Sequence, residues 1–98
     1  MTIMAGEQSV GAVAVGDKPS MAYVLEAISQ FNSGAAEVRI TAKGKAVSRA
    51  VDVAETVRRK FVDCRVGSVN IGTEEKELAD KSKASISTIE IILAKQLG

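Results

Sequence analysis

The sequence predicts an α/β fold, a two-layer sandwich with the order β-α-β-α-β-β and both helices on one face of a four-stranded sheet. Three observations predict it. Two segments place apolar residues at spacings of three and four; four shorter runs are apolar or alternate in polarity; and the sole proline and several glycines punctuate them. Ninety-eight residues, 46% of them hydrophobic, suffice for one compact domain with a modest core and are too few for two. A chain of this size buries roughly 60 to 70% of its unfolded surface, so a further interface between subunits would add stability.

Residues 1–9 lack periodicity and read as a flexible N-terminal tail, leaving residues 10–98 as a single domain. Residues 10–15 are a run of small apolar side chains suited to a buried strand, which Gly16 and Asp17 end. Pro19 fits the first turn of a helix whose stripe is Met21, Val24, Leu25, Ile28 and Phe31, with Gly34 as its stop. Residues 37–42 alternate as a second strand. A second helix begins near Ala46, with Val47, Ala50, Val51, Ala54, Val57 and Phe61 as its apolar stripe and Arg49, Asp52 and Arg59 on its outer face. After a link at residues 63–65, Val69 and Ile71 mark a third strand, and Ile89, Ile91 and Leu93 mark a fourth. The charged residues 74–84 between them read as a long mobile hairpin arm.

Composition removes several classes of function. With one cysteine, Cys64, and no histidine, an internal disulfide, the usual zinc sites and Cys-His catalysis are all excluded, and no cofactor is called for. The acid-rich arm lacks the ligand spacing of a calcium loop. The N-terminal residues show no basic segment followed by a long apolar run, and Glu7 interrupts the nearest approach to one, so neither secretion nor a membrane span is indicated and a soluble cytoplasmic protein is expected. Aromatic residues make up 3%, leaving base stacking little to work with.

The formal net charge is only +1, but the charges are segregated. Residues 39–60 hold seven basic side chains against Asp52 and Glu55, a local charge of +5, whereas residues 1–38 carry −3 and residues 74–90 carry −2. Within the basic third, Lys43-Gly44-Lys45 joins the second strand to the second helix. The first amides of a helix have no partner within it and its dipole adds positive charge there, so two lysines beside a permissive glycine form a phosphate-binding geometry, although an ordinary solvated turn has the same spacing. A nucleoside-triphosphate loop is not supported, because its fingerprint needs glycine at Arg39 and serine or threonine at Ala46.

Five ordered segments extend this reading: residues 13–19 (VAVGDKP), 21–25 (MAYVL), 43–52 (KGKAVSRAVD), 55–61 (ETVRRKF) and 87–91 (STIEI). Together they resemble the Alba family of archaeal chromatin proteins, small dimers that coat DNA and RNA, over nearly the whole chain. The resemblance implies phosphate contacts by Lys43 and Lys45 around Gly44, with Arg49 one helical turn further on. It implies that Lys18 lies beside the polymer and is open to acetylation, but many members carry two lysines where this chain has Asp17-Lys18. Asp17, which would otherwise cap the first helix, would repel phosphate. By position, residues 74–84 match the hairpin that follows the minor groove in the family, with Lys81 and Lys83 as its phosphate contacts amid Glu74, Glu75, Glu77 and Asp80; a solvated mixed-charge arm fits equally well. Phe61 belongs by pattern to the core or a subunit interface, and by resemblance to packing between dimers, with Arg58 and Arg59 beside it.

The resulting expectation is a non-enzymatic dimer, homodimeric or paired with a paralogue, that coats and compacts double-stranded DNA at the nucleoid and also binds RNA, with little sequence preference. The alternatives are an RNA-binding ribonucleoprotein subunit, an accessory paralogue that tunes filaments of a more basic partner, and a small α/β enzyme, for which a constellation of catalytic side chains is lacking.

Overall fold

The computed structural model describes residues 10–96. The element order is as expected: β1 (Val10–Ala14), α1 (Ser20–Asn32), β2 (Glu37–Lys43), a 3-10 turn (Gly44–Ala46), α2 (Val47–Thr56) running on through a π-helical turn (Val57–Phe61), β3 (Cys64–Glu77) and β4 (Lys83–Lys95). The expected tail at residues 1–9 lies outside the described residues.

The four strands form one sheet in the order β1-β2-β4-β3. β1 and β2 are parallel, with α1 as their crossover, and β4 runs antiparallel to both neighbours. β2 and β3 are therefore parallel, joined by α2, with the last strand inserted between them. Period-two alternation assigns the faces: Val38, Ile40 and Ala42 of β2 and Ile89, Ile91 and Leu93 of β4 are buried beneath the helices, while Arg39, Thr41, Lys43, Thr88 and Glu90 lie on the uncovered face. α1 packs on β1 and β2, and α2 packs on β2 and β4, so β3 remains an edge beyond the helical layer.

Both helical stripes are rotated from their predicted positions. α1 buries Tyr23, Val24, Ala27 and Phe31 and leaves Met21 and Leu25 exposed; α2 buries Ala50, Val53, Ala54 and Val57 and leaves Val51 and Phe61 exposed. Small residues explain the rotation. Ala27, outside the expected stripe, joins Ala50 and Ala54, which were within it, in letting the helices approach the sheet and one another closely, and Val53 is buried in place of the larger Phe61.

The expected hairpin arm is present, and its strands reach further than expected. Residues 73–77 pair in register with 83–87, so most of the arm is a two-stranded ladder, closed by a turn in which Lys81 donates its N–H to the Leu78 carbonyl and Leu78 donates to that of Ser82. Both faces of this ribbon meet solvent, so it needs no apolar alternation, and the pattern that announces a strand is missing. Asp80 ties the turn by accepting from the Ser82 hydroxyl at 2.6 Å and the Ser82 amide at 3.0 Å, bonds that lower its carboxyl pKa. A bulge at Gly67, between Val66 and Ser68, shifts the register by one residue and so brings Val66, Val69 and Ile71 to the same face as Leu93, Ile91 and Ile89.

Gly34 ends α1 as predicted, at φ +107, with its own N–H and that of Ala35 returning to the carbonyls of Phe31 and Gln30. A Cβ at Gly34 would meet no atom within 4 Å, so its cost is purely conformational. Gly34→Ala is expected to destabilise the protein by about 1 kcal/mol, whereas Lys81→Gly, at the one non-glycine residue with positive φ among those described, is expected to leave it equal or slightly more stable, both read from urea midpoints.

Candidate nucleic-acid interface

The Lys43-Gly44-Lys45 turn stands where β2 leaves the sheet. Lys43 is still extended at φ −133, Gly44 takes the left-handed conformation at φ +57, and the backbone then tightens through the 3-10 turn into α2. Ala46 at the helix entrance supplies no side-chain cap, and the first turn contains no acid, so the leading amides of α2 keep their positive character. Gly44 also leaves room for Ile86 at the root of the arm, whose methyl would lie 3.8 Å from an added Cβ.

Beside this turn runs the β1–α1 loop, which carries Asp17 and Lys18. Two side chains fix it. The buried Tyr23 hydroxyl accepts from the amides of Gly16 at 2.9 Å and Lys18 at 3.0 Å, and Arg49 donates from α2 to the Gly16 carbonyl. Val15 donates to the Thr41 carbonyl at 2.8 Å, extending the β1–β2 pairing by one bond. Asp17 does not cap α1: Pro19 occupies that position and no side-chain cap bond is present. Arg49 is likewise not a simple solvated residue of the outer face, because its guanidinium joins the second helix to the loop before the first.

The turn and the loop border an open groove of about 690 Å³, lined among others by Gly16, Asp17, Lys43, Lys45, Glu74 and Glu90. Lys43 is not free within it. Its ammonium lies 3.1 and 3.2 Å from the two carboxylate oxygens of Glu74, at the root of the arm. Lys45 and Lys18 are exposed and form no ion pair among the described residues. The structure thus gathers Lys18, Lys43, Gly44, Lys45 and Arg49 at one end of the sheet. Lys81 and Lys83 sit apart from them, at the tip of the ribbon.

Arg58, Arg59 and Phe61 occupy the far end of α2, roughly 20 Å along the helix. Glu55 gathers both arginines: Arg58 approaches it bidentately at 2.9 and 3.1 Å, and Arg59 at 2.9 Å. These bonds hold the Glu55 carboxyl below its ordinary pKa. Phe61, expected in a core or an interface, is half exposed at 51% and takes no part in the core of this chain. Cys64 is buried at the start of β3, where burial pushes its thiol pKa up.

Sequence reasoning missed Tyr23, Glu74 and Glu55. A readable signal existed only for Tyr23, since a tyrosine on a buried helical face needs a partner for its hydroxyl and the nearest polar chain is the Gly16–Lys18 loop. Among the described residues no helix is long and apolar enough to cross a membrane.

The fold and this site are those of a small α/β protein with a basic turn at one end of its sheet, and comparison places it within a family. The Alba family profile matches residues 12–73, and the chain belongs to the Alba family. It is 54% identical over 86 residues to the DNA/RNA-binding protein Alba 1 of Archaeoglobus fulgidus, covering 87% of this chain and 96% of that one. It is 52% identical to the DNA/RNA-binding protein Alba of Methanothrix thermoacetophila, over 85% of this chain and 93% of that relative. Among solved structures, Alba from Thermoplasma volcanium superposes with a TM-score of 0.80 at 40% identity, covering 87% of this chain and all of that one. ALBA1 from Trypanosoma brucei shares the fold, with a TM-score of 0.71 at 21% identity, over 91% of this chain and 72% of that one.

Two outcomes are expected from this geometry. Tyr23→Phe removes the acceptor of two loop amides and should cost about 1–2 kcal/mol in urea unfolding, with faster hydrogen exchange at Gly16 and Lys18. Because the Glu55 pKa is lowered in the folded chain, its contribution is complete above the unfolded value and fades as pH falls through the folded one; a carbon-detected titration should find its midpoint below the ordinary value for a glutamate.

Proposed function

We propose that this chain binds double-stranded DNA and RNA through their phosphates, with little sequence preference and without chemistry, and that it coats the polymer as a dimer at the nucleoid. The observation that carries this reading is the identity of 54% with a relative named as a DNA/RNA-binding protein, in a chain whose basic turn stands at the open end of the sheet. Lys18, Lys43 and Lys45 are the proposed phosphate contacts, Gly44 brings backbone amides close to the polymer, and Arg49 both holds the Gly16 carbonyl and adds charge. Lys81 and Lys83 would reach further along the backbone from the ribbon's tip. Acetylation of Lys18 would remove one of these charges.

Dimerisation is supported by the edge of the sheet. Val66, Val69 and Ile71 present their side chains on the helical side of β3, where no helix covers them, and Ile71 is 81% exposed. Two such edges related by a twofold axis would bury each other, with Phe61, Arg58 and Arg59 left to contact a neighbouring dimer. A second reading, an accessory subunit paired with a more basic paralogue, is favoured by the acids Asp17 and Glu74 within the groove; it fails if this chain alone compacts DNA as well as a mixture does.

The test is fluorescence anisotropy with labelled duplex DNA and hairpin RNA across a salt series. If a dimer makes about six phosphate contacts, log affinity should fall with log salt at a slope near −5. Lys43→Ala/Lys45→Ala should weaken binding at least tenfold across unrelated sequences and flatten that slope by about 2 for each protomer engaged. Affinity that does not respond to salt would overturn the proposal.

A further inference from the structure

We infer that Glu74 sets the strength of nucleic-acid binding by competing with phosphate for Lys43, an inference that rests on the function proposed above. Lys43 projects from the uncovered face of β2, and the residues in register with it are Thr88 on β4 and Gly72 on β3. Gly72 offers no side chain, and a Cβ there would lie 3.2 Å from the Thr88 hydroxyl. The acid that meets the lysine therefore comes from the next position on that face, and the ammonium reaches across β4 to both oxygens of Glu74.

Of the other acids on this face, Glu37 stands at the opposite end of β2, and Glu90 is already engaged: it pairs with Arg39 at 3.1 Å and accepts from Asn70. Glu74 by contrast has Lys43 as its ion-pair partner, and Lys43 is the lysine of the basic turn that is paired with a carboxylate among the described residues. A phosphate arriving at the turn must displace that carboxylate or be bound in its presence, and either course weakens the contact. The two side chains are 62% and 54% exposed, so the pair adds little to folding and its removal leaves the protein intact.

The experiment is a salt-series anisotropy titration of the full chain with a labelled duplex, comparing wild type, Glu74→Gln, Glu75→Gln, Lys43→Ala and Lys43→Ala/Glu74→Gln, with thermal melting as a check on folding. Glu75 makes the same change of charge at the adjacent position, on the opposite face of the strand. Glu74→Gln is expected to bind roughly fivefold tighter at about 0.1 M salt, the worth of a unit charge at contact distance in water, and to steepen the slope by about 0.9 per contact regained. Glu75→Gln should give less than half that gain, and in the Lys43→Ala background the gain from Glu74→Gln should fall to the level of Glu75→Gln. Equal gains from the two glutamines, or a gain that persists without Lys43, overturns the inference while leaving the binding function in place. Absence of binding by both wild type and Glu74→Gln at low salt overturns the function, and the inference with it.

Discussion

The insertion of β4 between β2 and β3 is the constraint from which the rest of the molecule follows. It places Ile89, Ile91 and Leu93 at the centre of the sheet, opposite Ile40 and Val38 on one side and Ile71, Val69 and Val66 on the other. Both helices then have a single continuous apolar surface to cover. They cover three strands and stop. The same insertion carries the acids of β3 and β4 across from the basic end of β2, so Arg39 meets Glu90 and Lys43 meets Glu74 although more than 30 residues separate each pair in sequence.

That separation explains what the sequence could disclose. The element order was legible because it depends on local periodicity: Val38, Ile40 and Ala42 alternate, and Ala50, Ala54 and Val57 recur at helical spacing. The basic turn was legible too, since Lys43, Gly44 and Lys45 are consecutive and Gly44 takes the left-handed conformation that the turn needs. One margin of each helical face was misread, because Ala27 and Val53 pack more tightly than the larger Leu25 and Phe61, and packing is decided by fit against the sheet and not by side-chain size. The arm was read as a hairpin, but the extent of its strands was not legible, because the ladder is held by backbone bonds, to which side-chain patterning is blind when both faces are wet.

Partnerships across the sheet were beyond local reading altogether. The +5 of residues 39–60 counts only their own two acids. Folding imports Glu74 and Glu90 from outside that segment, so the charge presented around it is nearer +3, and Glu55 is shared between Arg58 and Arg59. Charge segregation along a chain therefore locates a binding surface better than it measures one.

Two cations of the proposed site that form no ion pair among the described residues, Lys45 and Lys18, show how the surface is arranged. Lys45 stands at the entrance of α2 with the uncapped amides behind it, and Lys18 stands on a loop whose conformation is fixed by Tyr23 and Arg49. Tyr23 belongs to α1 and Arg49 to α2, so the loop is braced from both helices, and those helices are seated by the same core that seats β2. The proposed phosphate-binding surface needs no dedicated pocket: its spacing is inherited from the packing of α1 and α2 on the sheet, and a substitution that shifts either helix would move Lys18 relative to Lys45. Long side chains tolerate a small movement of that kind, which suits recognition of a regularly repeating backbone better than recognition of a single base edge.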